Sequence, residues 1–317
     1  MALTSADVAK RACVSRSTVS YILNGQAHRF SEATQEAVRQ AVEELGYMPQ
    51  AAARSLVRGK SDLVVAVWPI APNGLFYTQM AELTDALADR GLSLLFRTSG
   101  SSLASFTSTV RSLRPRALIA LADLTDAERD VLDSAGVRAI ELARAASEPG
   151  GWQWQAGQLQ VAHLLDRGYE RIAYARLAEA RDDIMLRARQ EGARAACRAA
   201  GLPEPQIITV TLRADADLEA VTSLPAHTGV ACYNDDTAAA ALGAANALGR
   251  AVPGDLGFIG MDDTPVATQT VPQLTTVGYG EAKFADDLAE TVASGRALEN
   301  LDSTASLSLE IVQRGTT

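Results

Sequence analysis

The chain has few of the residues on which several classes of protein depend. Its 317 residues include three cysteines and three histidines, and only 5% are aromatic. The cysteines (Cys13, Cys197 and Cys232) are far apart and lack metal-ligand spacing, which argues against a disulfide framework or a zinc site. The first residues lack a secretory signal pattern, and no apolar run reaches membrane-spanning length. We therefore expect a cytoplasmic protein without membrane association.

The motifs of the common enzyme classes are also missing. The sequence contains no Gly-x-Ser-x-Gly nucleophile elbow, no phosphate-binding loop and no cluster of histidine, cysteine and carboxylate side chains. The histidines are scattered, and the pair Asp262–Asp263 is weak support for catalysis. We therefore expect no enzymatic activity, no metal and no cofactor.

Charge is distributed unevenly along the chain. The net charge is −9, but residues 1–60 hold eight basic and five acidic side chains and carry +3. The remainder of the chain therefore carries −12. A basic segment on an acidic protein is compatible with nucleic-acid contact by that segment alone.

Two kinds of periodicity divide the chain. The apolar spacing predicts short helices over Ser5–Ala12, Arg16–Leu23 and Glu32–Leu45, with Gly46 ending the third. From residue 61 onward, apolar runs alternate with helical patterns, which predicts doubly wound α/β sheets. The predicted strands are Leu63–Trp68, Leu92–Phe96, Ala117–Ala122, Arg138–Leu142, Ile172–Ala175, Ile207–Val210, Gly229–Tyr233, Leu256–Met261 and a last one near Ser308–Gln313. About ten strands exceed one comfortable sheet, so two lobes are expected.

Two stretches resemble a known family. Asp7–Gly25 (DVAKRACVSRSTVSYILNG) and the downstream AVEELGYMPQAAARSL resemble the lactose/galactose-repressor family of bacterial regulators. That family has the pattern DVA-x-x-A-G-VS-x-x-TVS-x-x-LN, then LGY-x-P-N-x-x-A-x-x-L. Cys232–Val277 carries its later landmarks ND-x-x-A, VP-x-D, G-x-DD and P-x-LTTV. The resemblance spans nearly the whole chain and is weak over residues 97–160.

The resemblance implies a fold and a domain division. The fold is a small all-α helix-turn-helix domain followed by a two-lobed α/β domain like a periplasmic binding protein, with two doubly wound parallel sheets. The helix-turn-helix domain covers residues 1–46, a hinge helix or linker 47–60, and an effector-binding and dimerisation domain 61–317. The N-lobe covers about 61–150 plus 280–298, and the C-lobe about 151–277 plus 299–317.

The DNA-binding prediction centres on the second helix. Serine and threonine hydroxyls and free N–H groups at a helix N-terminus suit phosphate oxygens. Arg16 and Ser17 are in the first turn, where a recognition helix meets base edges, and Arg16 can pair with guanine or contact phosphate. The predicted DNA-binding residues are Thr4, Ser5, Ser15, Arg16, Ser17, Thr18, Ser20, Tyr21, Asn24, Arg29, Tyr47, Ala53, Arg54 and Leu56.

The hinge prediction concerns a poorly apolar linker. In the family, this segment becomes a hinge helix in the minor groove and presses a leucine between base pairs. Leu56 matches that leucine, although an ordinary apolar role is the alternative. Two positions depart from the family pattern: Cys13 replaces a glycine that favours positive φ, and Gln50 replaces asparagine. A redox role for Cys13 remains a minor alternative.

The effector prediction also follows from the resemblance. Polar side chains around an arginine suit a polyhydroxylated or ionised ligand between the lobes. The predicted effector-binding residues are Leu75, Phe76, Arg189, Asn234, Asp235, Asp262 and Tyr279. Asp235 can instead be a helix N-terminal residue, and Phe76 can belong to the core. The stretch from Trp152 to Gly157 (WQWQAG) lacks the family's aspartate, so the identity of the ligand stays open.

The function implied is a sequence-specific transcriptional repressor that acts as a homodimer. It binds a double-stranded DNA operator, and a small effector, sugar-like or a related polar metabolite, modulates its affinity. A solute-binding protein for transport is the alternative, because it shares the large-domain architecture. Whether ligand releases or promotes DNA binding, and whether the protein is a dimer or a tetramer, stay open.

Overall fold

The chain folds into two compact units. The computed structural model describes residues 3–23, 26–47, 61–68, 74–180, 183–212, 218–280, 284–295 and 308–317. We call Met1–Asp62 with Leu113–Pro115 the helical unit, and Leu63–Ser112 with Arg116–Thr317 the α/β unit.

The secondary structure follows the predicted order. The helices are α1 (Ser5–Arg11), α2 (Arg16–Leu23), α3 (Glu32–Leu45), α4 (Gly74–Ala88), α5 (Leu103–Leu113), α6 (Asp126–Ser134), α7 (Leu142–Ser147), α8 (Trp152–Asp166), α9 (Ile184–Ala199), α10 (Leu218–Thr222), α11 (Asp235–Ala247), α12 (Pro265–Gln269) and α13 (Phe284–Ser294). The strands are β1 (Leu63–Trp68), β2 (Ser93–Thr98), β3 (Ala117–Ala120), β4 (Arg138–Glu141), β5 (Arg171–Leu177), β6 (Gln206–Val210), β7 (Thr228–Cys232), β8 (Leu256–Met261), β9 (Thr275–Tyr279) and β10 (Leu309–Val312).

The helical unit has a small apolar core. Its three helices match the predicted spans to within one residue. Helical spacing brings one apolar stripe from each helix together, and the buried side chains are Val8, Ala9, Val19, Ile22, Val38 and Ala41. The opposite faces of these short helices stay exposed, so polar side chains of α2 are available for contact.

Side-chain caps fix where these helices begin. The backbone N–H and the hydroxyl of Thr4 donate to Asp7 Oδ2 at 2.8 and 2.7 Å, as in one half of a capping box. Ser31 Oγ accepts from the Thr34 N–H at 3.3 Å and starts α3. Gly46 ends that helix with a φ of 59°, a left-handed conformation that glycine adopts without a steric penalty.

The turn between α1 and α2 has the conformation predicted for Cys13. Its φ is 54°, in the region that glycine occupies freely and a side chain strains. A non-glycine residue there costs about 1 kcal/mol. Cys13 is exposed and has a free thiol.

The first sheet of the α/β unit is parallel, with strand order β2-β1-β3-β4. Alternate residues of β1 face opposite layers of helices. Val64 and Ala66 pack in one apolar cluster, whereas Val65 and Val67 pack in another. Burial on both faces explains why this strand is a continuous apolar run.

The second sheet has the order β10-β9-β8-β7-β5-β6 and is parallel except at one edge. There, β10 pairs antiparallel with β9, from Leu309 opposite Tyr279 to Val312 opposite Thr276. The α13 helix precedes this strand and contributes Leu288 and Val292 to the core of the first sheet. The fold class is therefore as predicted, with one antiparallel edge strand added to a parallel sheet.

Candidate functional site

The start of α2 carries a cluster of hydroxyl groups. Ser15 Oγ accepts from the Thr18 N–H at 3.0 Å and caps the helix. The same oxygen lies 2.7 Å from Ser17 Oγ and 2.8 Å from Thr18 Oγ1. These three hydroxyls therefore form one hydrogen-bonded group at a helix N-terminus, and their contact with phosphate oxygens stays a prediction.

Arg16 projects from this cluster and is exposed. Its Nε donates to Ser5 Oγ of α1 at 3.0 Å, across the turn between the two helices. On the opposite side of α2, Val19 and Ile22 are buried in the helical core. The structure therefore places Arg16 on the surface of the helical unit, and its contact with base edges stays a prediction.

Tyr21 and Arg29 are brought together on the same unit. Tyr21 is 41% exposed, and its ring centroid lies 6.2 Å from that of Phe30 in a stacked arrangement. The Arg29 guanidinium carbon lies 4.8 Å from the Tyr21 centroid, and Arg29 Nη1 donates to Gln26 Oε1 at 2.8 Å. Sequence reasoning did not include Phe30 or Gln26 in this group, because their partnership depends on the loop after α2.

The remaining predicted DNA-binding residues differ in exposure. Thr4 is exposed at the start of α1, while Ser5, Ser20 and Tyr47 are half-buried. Tyr47 packs against the helical core. The other four, Asn24, Ala53, Arg54 and Leu56, lie outside the described residues. Most of the predicted hinge, residues 48–60, lies outside as well, so its minor-groove role stays a prediction.

Two glycines bring α8 and α9 of the α/β unit unusually close. A Cβ added to Gly157 would lie 1.9 Å from the backbone oxygen of Arg189. A Cβ added to Gly192 would lie 1.9 Å from the backbone oxygen of Trp154. Because each glycine faces the backbone of the other helix, neither position has room for a side chain. This approach sets Gln153 of α8 beside Arg189 of α9.

Arg189 is the centre of a buried polar cluster. Its Nε donates to Gln153 Oε1, its Nη1 to the backbone oxygen of Tyr233, and its Nη2 to Asp262 Oδ1 at 3.3 Å. The guanidinium carbon also lies 5.0 Å from the Tyr233 ring centroid. Since only 4% of Arg189 is exposed, its charge depends on these partners for compensation.

Asp262 contacts both this arginine and Tyr279, which packs against a second aromatic side chain. Tyr279 donates its hydroxyl to Asp262 Oδ1 at 3.1 Å, and the Trp152 ring meets the Tyr279 ring edge-on at 5.5 Å. Burial, together with the nearby Asp262 carboxylate, raises the pKa of Tyr279 well above its usual value. The phenol therefore stays protonated and acts as a hydrogen-bond donor.

The backbone at Asp262 and Asp263 is strained. Their φ values are 99° and 45°, in the region that residues with a side chain rarely occupy. Asp263 is held by Arg314, whose Nη2 donates to its carboxylate at 2.6 Å. The Asp262 N–H donates to the Val277 oxygen at 2.8 Å. Contacts on both residues thus maintain a conformation that aims Asp262 at Arg189.

Asn234 and Asp235 have partners at the start of α11. Asn234 Oδ1 accepts from the Thr237 N–H at 2.9 Å and caps the helix. Asp235 accepts from the Thr264 N–H at 2.6 Å and from the Thr276 hydroxyl at 2.5 Å, and it is completely buried. Asp235 thus joins the start of α11 to Thr264 and to β9, whereas the Asn234 side chain caps its own helix. The role of both residues in effector binding stays a prediction.

Replacing Asp235 with asparagine is expected to change how stability depends on pH. Burial raises the pKa of Asp235 to about 7, so the folded protein binds a proton that the unfolded chain releases near pH 4. The contribution of Asp235 to the free energy of unfolding is fully present below about pH 4 and declines as pH rises through about 7. Between about pH 5 and pH 7, the free energy of unfolding of Asp235→Asn should therefore decline by roughly 2–3 kcal/mol less than that of the wild type.

Urea unfolding of the wild type and Asp235→Asn across this pH range measures that difference. Asp133→Asn is the matched control, because Asp133 is exposed on α6 and should leave the pH dependence unchanged. Equal pH dependence in the wild type and Asp235→Asn would contradict the assignment.

Sequence reasoning predicted some members of the Arg189 cluster and missed others. Arg189, Asp262 and Tyr279 were predicted and are in contact. Gln153 and Trp152 were noticed only as unusual residues, and Tyr233 and Asp183 were missed. Tyr233 donates its hydroxyl to Asp183 Oδ2 at 2.8 Å, while Asp183 caps α9. For Leu75 and Phe76, the structure describes only the backbone, in the first turn of α4.

Two further properties bear on function. Among the described residues, no helix is long and apolar enough to cross a membrane. Within that same part of the chain, no group of histidine, cysteine and carboxylate side chains could hold a metal ion.

Comparison with known families covers both units. Residues 4–50 match the model of the bacterial regulatory proteins of the lacI family. Residues 161–317 match the periplasmic binding protein-like domain. The first match contains all three helices of the helical unit, and the second contains all six strands of the second sheet.

Curated relatives match over most of their length. HTH-type transcriptional regulator GntR of Pseudomonas aeruginosa is 32% identical over 287 residues, which cover 86% of this chain and 82% of the relative. HTH-type transcriptional regulator GalS of Salmonella typhimurium is 31% identical over 313 residues, covering 93% and 90%.

Solved structures share the fold across the whole chain. A Lac repressor dimer bound to operator and the anti-inducer ONPF aligns with a TM-score of 0.78 and 23% identity, covering 100% of this chain and 99% of that one. A complex of the transcriptional regulator CelR with cellobiose aligns with a TM-score of 0.63 and 22% identity, covering 99% and 100%.

Proposed function

This chain belongs to the lacI family of bacterial regulatory proteins, and we propose that it is a sequence-specific, DNA-binding transcriptional repressor. Its affinity for an operator is modulated by a small polar ligand bound in the α/β unit. It works in the cytoplasm, where it has access to the chromosome. The proposal includes no catalytic reaction and no cofactor.

The single observation that carries the proposal is the exposed start of α2. Arg16 and the hydroxyl cluster of Ser15, Ser17 and Thr18 lie on the polar face of a helix whose apolar face is buried. A guanidinium group can pair with guanine while hydroxyl groups contact phosphates. The helical unit also argues against a solute-binding protein for transport, because such a protein needs no DNA-binding surface.

The protein is proposed to act as a homodimer on a near-palindromic operator. One recognition helix from each protomer would enter the major groove of one half-site. The segment 47–60 would connect each DNA-reading unit to its ligand-binding unit. Binding should weaken with salt, because basic side chains displace counterions from the duplex.

The effector is proposed to bind at the Arg189 cluster. Arg189, Asp262 and Gln153 combine charged and amide groups, while Trp152 and Tyr279 add aromatic surface. This combination suits a polyhydroxylated ligand, since hydroxyls bond to polar groups and a ring can stack on an aromatic face. A coupling of about 1–3 kcal/mol between ligand and operator is enough for regulation.

Replacing Arg16 with alanine is expected to remove most of the sequence preference. A bidentate arginine–guanine contact contributes about 1–3 kcal/mol, so affinity for the preferred duplex should fall roughly 10- to 100-fold. Affinity for an unrelated duplex should change by less than about threefold, because the lost contact is with a base and not with a phosphate. Electrophoretic shifts with a duplex selected from a random pool by the wild-type protein measure both affinities.

The control for this experiment is Arg144→Ala, which removes an exposed arginine from α7 of the α/β unit. It should bind both duplexes as the wild type does. A wild-type protein that selects no preferred sequence would defeat the proposed function itself.

A further inference from the structure

A hydrogen bond between two side chains, Arg16 and Ser5, links the start of α2 to α1. Among the described residues of this turn, no other pair of polar side chains makes such a link. Arg16 Nε donates to Ser5 Oγ at 3.0 Å. Arg16 makes no other hydrogen bond or ion pair within the described part of the chain. Its two terminal nitrogens, Nη1 and Nη2, therefore remain available on the exposed face.

This geometry restricts how Arg16 can meet a base. A guanidinium group pairs with guanine O6 and N7 through two of its nitrogens, either Nε with one Nη or both Nη together. With Nε committed to Ser5, only the end-on pair is left. The hydrogen bond thus selects one orientation of the side chain before DNA is present.

Ordering Arg16 in advance also lowers the cost of binding. An arginine side chain loses much rotamer freedom when it is immobilised, and a contact that holds it beforehand reduces that loss on association. The Ser5 hydroxyl is well placed for this role, because it belongs to the first residue of α1 and is half-buried. Val8 and Ala9 of the same helix pack with Val19 of α2 and keep the two helices in register.

We propose that Ser5 is a positioning residue for DNA recognition: it fixes Arg16 in the end-on orientation and sharpens its base preference, without contacting DNA itself. This inference rests on the proposed function. It differs from the sequence-based expectation, in which Ser5 was grouped with residues that contact DNA directly.

The test uses the full-length protein and duplexes selected from a random-sequence pool by the wild type. Affinities of Ser5→Ala, Ser5→Thr, Arg16→Ala and the double variant are measured for the selected duplex, for its single base-pair substitutions and for an unrelated duplex. Ser5→Ala should lose about three- to tenfold in affinity for the selected duplex, mostly at one base pair, and less than about twofold for the unrelated one. Ser5→Thr keeps the hydroxyl and should restore the preference.

The double variant separates positioning from direct contact. If Ser5 acts through Arg16, Ser5→Ala adds no further loss in the Arg16→Ala background. If Ser5 contacts the duplex itself, the same loss persists in that background, and the inference is overturned. An unchanged base preference in Ser5→Ala also overturns it, while the proposed function stands as long as the wild type selects a sequence. Ser134→Ala, which removes an exposed serine hydroxyl from α6, should match the wild type throughout.

Discussion

Asp262→Ala is expected to lower the unfolding free energy of the α/β unit by about 3–5 kcal/mol, because it leaves the buried Arg189 charge without its anionic partner. The ion pair is almost completely buried, with 4% of the arginine side chain and 1% of the aspartate side chain exposed. Water therefore cannot replace the lost carboxylate. The same change removes the acceptor of the Tyr279 hydroxyl, which adds a second unsatisfied group.

A double-mutant cycle distinguishes this cause from loss of local structure. Arg189→Met removes the charge and keeps an unbranched apolar side chain in its place. The double variant, Asp262→Ala with Arg189→Met, should be more stable than Asp262→Ala alone, because no buried charge is left uncompensated. Additive losses in the double variant would show that the ion pair is not the reason for the destabilisation.

Backbone strain at Asp262 needs its own control. Alanine at a φ of 99° keeps the strain, whereas Asp262→Gly relieves it while also removing the carboxylate. Glycine should therefore be the less damaging substitution, and the difference measures the local strain. All variants are compared by urea unfolding of the full-length protein, followed by circular dichroism.

Gly157→Ala is expected to separate α8 from α9 and to cost at least about 3 kcal/mol of stability. The new methyl group would lie 1.9 Å from the Arg189 backbone oxygen, and a backbone atom cannot move away by changing a rotamer. Relief requires the two helices to move apart by more than one ångström. Gly192→Ala should have a similar effect, because its methyl group would meet the Trp154 oxygen at the same distance.

Gly243→Ala provides the matched control in another helix. Gly243 is in α11, and an added Cβ would meet nothing within 4 Å. Alanine is the better helix former, so this change should stabilise the protein by roughly 0.5–1 kcal/mol. Wild-type stability in Gly157→Ala would mean that the close approach of α8 and α9 is not maintained in solution.

Separation of α8 from α9 would also disrupt the proposed ligand site. Gln153 is on α8 and Arg189 on α9, so their hydrogen bond depends on the spacing that Gly157 and Gly192 allow. We therefore expect Gly157→Ala to lose effector binding together with stability.

Elements with a strong local signal could be predicted from the sequence. The bounds of α2 and α3 depend on apolar spacing and on capping by Ser15 and Ser31, which act within a few residues, and the structure confirms the predicted spans. The strands β1 and β8 were predicted with their observed bounds, since an apolar run buried on both faces has an unmistakable composition.

Other elements were predicted incompletely, for identifiable reasons. The start of helix α8 at Trp152 has no local signal in the sequence, because its N-cap is Gly151, which offers no side-chain oxygen. Strand β9 was not predicted as a strand, since Thr275 and Thr276 are polar residues that are completely buried. The Thr316 hydroxyl accepts a hydrogen bond from the Thr275 N–H at 2.8 Å.

The sequence by itself determined the three-helix unit, the alternation of strands and helices, and the residues Arg16, Arg189, Asp262 and Tyr279 as candidates. The helices and strands depend on local periodicity and capping, which one stretch of chain contains in full, whereas the candidate residues of the α/β unit follow from the resemblance to the family. Only the tertiary structure decided that Gln153 and Tyr233 hold Arg189, and that Asp235 is enclosed by Thr264 and Thr276. Such contacts join residues far apart along the chain, so no local pattern encodes them, and burial fixes which donors and acceptors must meet.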